Sequence, residues 1–541
     1  MSSESIINTH PLPLFFLAVI IIGLIAAQQV IHHYKLSIIP ETAVIIVIGA
    51  AIGLLTRVTF LDINQHFDIL SFDAESFFLY LLPIIVFEGG YCLQKAFFFR
   101  NIVTIFSLAI VGTVINIAVT VLLIYVPYHF IPIPGTESVS FFETLTFCTV
   151  ISAIDPVATL AIFNSLKVDP DLHNLIFGES VLNDAVVVVL FNALNGINAD
   201  SLRWFTVIEI MWSFCWKTVV SITLGLVVGL LATLYFRVTP MFMSRPWTEV
   251  GTLLCFAILS YVTAEIVHCS GVMSVLFTGI ICAQYTRRNM SSDGREAAHV
   301  TIELLSRVSE TAIFLFLGAA ISGKAEGSVQ HDFNWLFVLL TLISAPIARL
   351  FNVVPLLSLA NLIRLIRSRS RKKLIPAKHF MMIWYSGLRG AVCFGLVLYM
   401  TETSAHSSMF MTTTLILAVV TVLCTGTGTL PMLKLLRIPT NVQIEEAKKD
   451  VVATRSKVHG AMHYLDANVL RPLLTRDKSE TERRKEYIAR EVHGQEELIE
   501  SGKMTSNPIS AASLYPVVGD DTLCDASIVS SPAKSRRESQ V

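Results

Sequence analysis

The sequence predicts an all-α polytopic membrane protein with about 13 transmembrane helices and a short cytosolic helical tail. Three observations predict it. Mean hydropathy is +0.65. Only 15% of the 541 residues are charged, where a soluble chain carries about a quarter. A large share of those charges also falls after residue 440, so the part before it is poorer still and reads as the membrane domain.

A helix needs about 20 mainly apolar residues to cross the hydrocarbon core. The stretches that qualify are roughly 13–31, 37–56, 75–93, 101–127, 140–164, 174–196, 206–236, 247–267, 270–285, 300–321, 333–358, 379–400 and 408–436. The first has no Lys or Arg ahead of it, unlike a cleavable signal peptide, so it reads as a retained span. That leaves 1–12 as a short lumenal or extracellular terminus. Loop charges fix the orientation, because cytosolic loops hold the excess of Lys and Arg. With the N-terminus outside, the inner loops contain Lys35, Lys95 and Arg100, Lys167, Arg237 and Arg245, Arg287, Arg288 and Arg295, and the dense run from Arg364 to Lys378. The outer loops contain Arg57, Arg203 and Lys324, one each. The membrane domain is thus expected over 13–440. A charged, helix-favouring cytosolic tail follows over 441–504, and a Ser-, Pro- and Gly-rich stretch over 505–541 reads as disordered.

Composition excludes several classes. A net charge of -1 gives no basic surface for nucleic acid. The nine Cys are scattered singly with no CxxC spacing, so neither a structural metal site nor a disulfide framework is expected. No HExxH or GxSxG occurs, which argues against an intramembrane protease or other membrane enzyme. No cofactor is expected.

A charge at mid-bilayer costs about 2.5–3.5 kcal/mol on insertion scales, so the acids inside spans need a reason. Asp155-Pro156 lies mid-span, and Pro156 interrupts the helix beside a buried acid. Such a break is tolerated only where it is covered by protein or lines a cavity. In FGESVLNDAVVVVLF, Ser180 and Asp184 are i, i+4 neighbours, as are Glu179 and Asn183; four polar groups in six residues suit a hydrated site of oxygen ligands. In SGLRGAV, Arg389 stands between Gly387 and Gly390, a setting for an unwound turn. Arg389 either pairs with Glu179, leaving Asp184 free to bind and release, or snorkels to the headgroups. Glu88 and Glu310 either line an access funnel or cap helices near the interface.

FFLYLLPIIVFEGGY, SAIDPVATLAIF, GESVLNDAVVVVLF, SETAIFLFLG and SGLRGAV stand in the order found in the eukaryotic sodium/proton exchangers, of the monovalent cation–proton antiporter superfamily. The chain resembles that family over about 13–500. The resemblance implies an inverted-repeat fold in which spans one to six and eight to thirteen form opposed halves, with two discontinuous helices crossing at the ion site. It implies that Asp184 binds the ion, that Asn183, Ser180 and Asp155 help to build the site, that Glu179 is bridged to Arg389, and that the protein is a homodimer. The chain departs from the family where a second proline is usual: Pro83 is followed by Ile84. FEGGY, SGVMSVLFTGI and the short tail are similar to Golgi- and endosome-resident members rather than plasma-membrane ones.

The expected activity is secondary antiport of Na+, K+ or Li+ against H+ by one carboxylate with two access states. Protonated or ion-bound, Asp184 is neutral; the bare anion is the costly species, which couples the two fluxes. Asn183 cannot take up a proton, so one cation per proton with no net charge is expected. A passive cation channel using the same acids is the alternative. The terminal Glu-Ser-Gln-Val suits β-strand addition to a PDZ domain, with Val541 supplying the carboxylate and Ser539 a phosphorylation site that blocks docking; a disordered tail ending this way by chance is the plainer reading.

Overall fold

A computed structural model describes residues 40–59, 77–130, 139–194, 204–239, 245–322, 333–368, 374–387, 389–400, 406–442 and 470–475. Among these, every regular element is helical. In chain order they are α1 (Glu41–Thr59), α2 (Leu82–Tyr91, entered through a π-turn at Phe77–Leu81), α3 (Lys95–Phe106), which runs through a π segment at Ser107–Gly112 into α4 (Thr113–Phe130), α5 (Phe141–Val150), α6 (Val157–Leu166), α7 (Pro170–Leu194), α8 (Trp204–Val238), α9 (Pro246–Ile266) and α10 (Gly271–Ile281). After a third π segment (Cys282–Thr286) come the single turn α11 (Arg287–Asn289), then α12 (Ser292–Ser322), α13 (Trp335–Ser368), α14 (Ala377–Tyr385), α15 (Ala391–Met400), α16 (Ser407–Leu435) and α17 (Arg471–Leu474). Each predicted span from 37–56 onward coincides with a helix or a pair of helices; 13–31 lies outside the described residues, as do most of 441–504 and all of 505–541.

Seven of the described helices are long and apolar enough to cross a membrane by length and composition, and shorter apolar helices accompany them. Within the bundle α7 is central. Its apolar window is 83% buried, against 39–61% for the other long helices, and the side chains of Val186, Val187 and Val189 are at most 1% exposed. The polar run of α7 is therefore enclosed by protein instead of facing lipid.

Two predicted spans are each split. The first is α5–α6. Ser140 starts α5 with a full capping box to Glu143, and the helix stops at Val150. Pro156 then occupies the N-cap of α6; lacking an N–H, it cannot carry a helical ladder through the break. The second is α14–α15, interrupted around Ser386–Gly390. The two breaks meet: Arg389 Nη1 donates to the Ala153 carbonyl at 3.1 Å and the Ala391 N–H donates to Asp155 Oδ2 at 3.2 Å.

Near the C-terminal end of the described chain, α17 packs on the end of α8. Asn289 Nδ2 donates to the Leu474 carbonyl at 2.9 Å and to the Thr233 carbonyl at 3.2 Å. Arg237 donates to the Leu473 carbonyl. Asn289, which begins the Asn-Met-Ser sequence 289–291, thus has its amide engaged in packing.

A candidate ion site where two interrupted helices meet

Breaking a helix inside a membrane strands backbone groups, and each one left unpaired costs about 1–3 kcal/mol. The polar residues of α7 answer that cost at Ile154. The Ser180 hydroxyl donates to the Ile154 carbonyl at 2.8 Å, and the Ile154 N–H donates to Asn183 Oδ1 at 2.9 Å. The other end of the Asn183 carboxamide donates to Thr113 Oγ1 at 2.5 Å. Thr113, just after the π segment, donates its own proton to the Ala109 carbonyl at 2.6 Å. Ser180 and Asn183, one turn apart on α7, hold the two polar groups of a single unwound peptide.

Asp155 caps both broken helices. Its Oδ1 accepts from the Val157 N–H at 3.2 Å, at the start of α6, and its Oδ2 accepts from the Ala391 N–H, at the start of α15. One negative charge thus lies against two helix N-termini, where dipoles favour it. Gly390 makes the approach possible: a Cβ there would lie 2.1 Å from Asp155 Oδ2. Gly387 gives the same clearance to the Arg349 side chain, 2.2 Å from the place its Cβ would take.

Asp184 is different. It is half-buried, and among the described residues its buried Oδ1 has no hydrogen-bond partner. The groups that act on it electrostatically are Asp155, the Ile154 amide and Arg389. With Ser180, Asn183 and Asp155 committed to the breaks, Asp184 is the acid that retains coordinating capacity there.

The expected Glu179–Arg389 bridge is corrected by the geometry. Glu179 pairs with Arg349 of α13: Nη1 donates to Oε1 at 3.0 Å and Nη2 to Oε2 at 3.2 Å. The guanidinium also donates to the Ile383 and Trp384 carbonyls at the end of α14, at 2.8 and 3.3 Å. One buried cation thus fastens α7 to the first half of the second broken helix. Arg389 is equally buried, at 2% exposure, which excludes snorkelling. It acts on backbone, sharing the Ala153 carbonyl with the Cys393 thiol, and its own N–H donates to Thr421 Oγ1 at 3.1 Å. Sequence reasoning passed over Arg349, although an Arg well inside the apolar span 333–358 carried the signal: such a group must be paired.

Glu88 and Glu310 fall in one electrostatic neighbourhood. Glu310 interacts with Asp155, Glu88 and Arg307, and Glu88 interacts with Cys92, Glu303 and Arg307. Ser539 and Val541 lie outside the described residues.

The comparisons with known proteins agree with this architecture. The family described as "Sodium/hydrogen exchanger, transmembrane" matches residues 16–435. An uncharacterized Na(+)/H(+) antiporter of Schizosaccharomyces pombe is 34% identical over 430 residues, 79% of this chain and 74% of that protein. Sodium/hydrogen exchanger 8 of Rattus norvegicus is 33% identical over 454 residues, 83% of this chain and 76% of its own length. Sodium/hydrogen exchanger 9 of Homo sapiens is 34% identical over 423 residues, 75% and 63% of the two chains. The solved sodium proton antiporter MjNhaP1 from Methanocaldococcus jannaschii superposes with a TM-score of 0.58 at 16% identity, over 79% of this chain and 99% of its own, which shows a shared fold. Two interrupted helices meet beside an acid with one carboxylate oxygen unpartnered, and the family model and the relatives match most of the chain: this protein belongs to the sodium/hydrogen exchanger family and is a multi-pass cation/proton antiporter.

Proposed function

We propose that the exchange is electroneutral, one Na+ or K+ for one H+, and that Asp184 takes both in turn. The supporting observation is the unpartnered Asp184 Oδ1 in a place where Ser180, Asn183 and Asp155 are already engaged with backbone groups of the breaks. Protonated, Asp184 is neutral. Ionised, it attracts a cation that neutralises it again, and the bare anion is disfavoured by its apolar surroundings. Asn183 adds no proton, so the loaded and protonated sites carry the same charge. Li+ is a further candidate cargo.

Glu310 and Glu88 form a polar path toward the site, with Glu303 and Arg307 at its mouth; the loop charges put that mouth on the cytosolic side. The same charges put the N-terminus in the lumen or outside and the C-terminus in the cytosol. Residence in the Golgi or endosomes, a homodimer, a regulatory tail over 441–504, and PDZ docking through Ser539 and Val541 complete the reading, supported by the sequence features that suggested them.

Asp184→Asn in reconstituted liposomes tests the assignment. Proton-driven uphill cation uptake is expected to vanish while expression and thermal unfolding stay native. Exchange persisting in the variant would remove Asp184 from the role.

A further inference from the structure

Asn352 is a costly residue to bury. It is 1% exposed on α13, and among the described residues neither its Oδ1 nor its Nδ2 has a hydrogen-bond partner. A carboxamide left unpaired in the interior costs stability, so hydrogen bonding does not account for its presence. Its packing does. The head lies against Gly112, the last residue of the π segment. A Cβ on Gly112 would stand 3.0 Å or less from Oδ1, Cγ and Nδ2 of Asn352. Only glycine leaves that room, and a planar carboxamide is thin enough to fill it where a branched apolar head is not.

Gly112 leads straight into the support of the ion site. In a regular helix the Thr113 N–H would bond to the Ala109 carbonyl. After the π segment it turns instead to the Ile110 carbonyl, and the Thr113 hydroxyl takes the Ala109 carbonyl at 2.6 Å. Thr113 Oγ1 is thereby left as the acceptor of the Asn183 amide. One turn further along α4, Asn116 Nδ2 donates to Ser152 Oγ at 3.1 Å, just ahead of the first break. The start of α4 thus carries two polar arms, one through Asn183 to Ile154 and one to Ser152. π segments interrupt the regular helical ladder and occur often at functional sites; this one sets the direction of both arms.

α13 fixes where that start lies. Near its end, Arg364 bonds to Asn101 Oδ1 and Thr104 Oγ1 of α3 at 3.1 and 2.8 Å. About three turns earlier, Asn352 meets Gly112. One turn before that, on the same helix face, Arg349 holds Glu179. Glu179 and Asn183 are i, i+4 neighbours on α7. One face of α13 therefore reaches two successive turns of α7, Glu179 through Arg349 and Asn183 through the corner at Gly112 and Thr113.

We infer that Asn352 is a positioning residue for exchange: it holds the π segment at Gly112 so that Thr113 orients Asn183 beside Asp184. It acts through the backbone it packs against and not on the ion. The inference rests on the ion site proposed above.

Reconstituted full-length protein is assayed for proton-driven Na+ and K+ uptake over a range of cation concentrations, with thermal unfolding of the same preparations followed in parallel. Asn352→Ala is expected to raise the apparent KM for the cation roughly 2–30-fold, the range through which residues remote from a ligand shift its affinity. The maximal rate per folded transporter stays near native. A packing role alone would instead lower the unfolding temperature and leave KM native, which overturns the inference. Gly112→Ala pushes on the same carboxamide and is expected to raise KM as well. The double variant Gly112→Ala with Asn352→Ala is expected to lie closer to native than either single one, since the added methyl occupies space that the carboxamide left. A double variant whose losses simply add also overturns the inference. Should Gly112→Ala not fold, Asn352→Ala and Asn352→Ser decide alone, a native KM in both being the overturning result. Exchange persisting in Asp184→Asn overturns the ion site on which the inference rests; a native KM in Asn352→Ala with Asp184 intact overturns only the role of Asn352.

Discussion

Asn183 does two jobs at the scale of one residue. It contributes no ionisable group, and its carboxamide presents an acceptor to Ile154 and a donor to Thr113. The second contact fixes which way the amide faces, because Thr113 already spends its proton on Ala109 and can only accept. Thr113→Val removes that acceptor while keeping the shape of the side chain. It leaves a buried amide N–H unpaired, at a cost of about 1–3 kcal/mol. Exchange in liposomes is expected to fall roughly 5–30-fold for each 1–2 kcal/mol lost at the site, with the protein still folded. An unchanged rate in Thr113→Val would separate Asn183 orientation from transport. Asp155 shows the same economy: one carboxylate caps two helices, which supports the ion-carrying role proposed for Asp184.

The informative feature among the elements is the clasp between α7, α13 and α14. Glu179 and Arg349 form a bidentate buried pair, and the guanidinium reaches two further carbonyls of α14. Removing one partner of a buried pair strands the other charge, at about 3–5 kcal/mol. Arg349→Ala is therefore expected to lower the unfolding temperature of the purified protein more than Arg389→Ala, which forfeits hydrogen bonds to a carbonyl that the Cys393 thiol still serves. The double variant Glu179→Met with Arg349→Met recovers much of the loss, since neither charge is left behind. The opposite ranking, with Arg389→Ala the more damaging, would speak for the pairing that the motif alone suggested. The legible part at this scale was the position of the breaks. Pro156, and the glycines flanking Arg389, are local signals. The partner of Glu179 was not legible, since Arg349 lies 170 positions away and nothing local selects it over Arg389.

For the molecule as a whole, charge balance is what separates an electroneutral exchanger from an electrogenic one. On the proposed reading, Asp184 is the one acid at the crossing that titrates in the cycle, and with a carboxamide beside it no net charge is moved. Voltage-clamped proteoliposomes with a proton gradient and only Na+ or K+ present are expected to show cation uptake without transport current. A current that scales with uptake would require a second ionisable group in the cycle. The span pattern was read from apolar run length and loop charge, and among the described residues each stretch from 37–56 onward meets a helix. The splitting of two spans into four short helices follows from the breaks; their meeting does not.

The sequence by itself determined that this chain spans a membrane, where its helices run, which acids are too deep to be solvated, and where two helices are interrupted. Those properties are local or additive: the length of an apolar run, the missing N–H of a proline, the cost of a charge in hydrocarbon. Only the tertiary structure decided how the buried polar groups divide their work. Asp155 reaches an amide 236 residues away, Ser180 and Asn183 serve one unwound peptide, and Arg349 takes Glu179. Each assignment depends on which groups packing brings within about 3 Å, since hydrogen bonds and desolvated ion pairs fall off steeply beyond that distance.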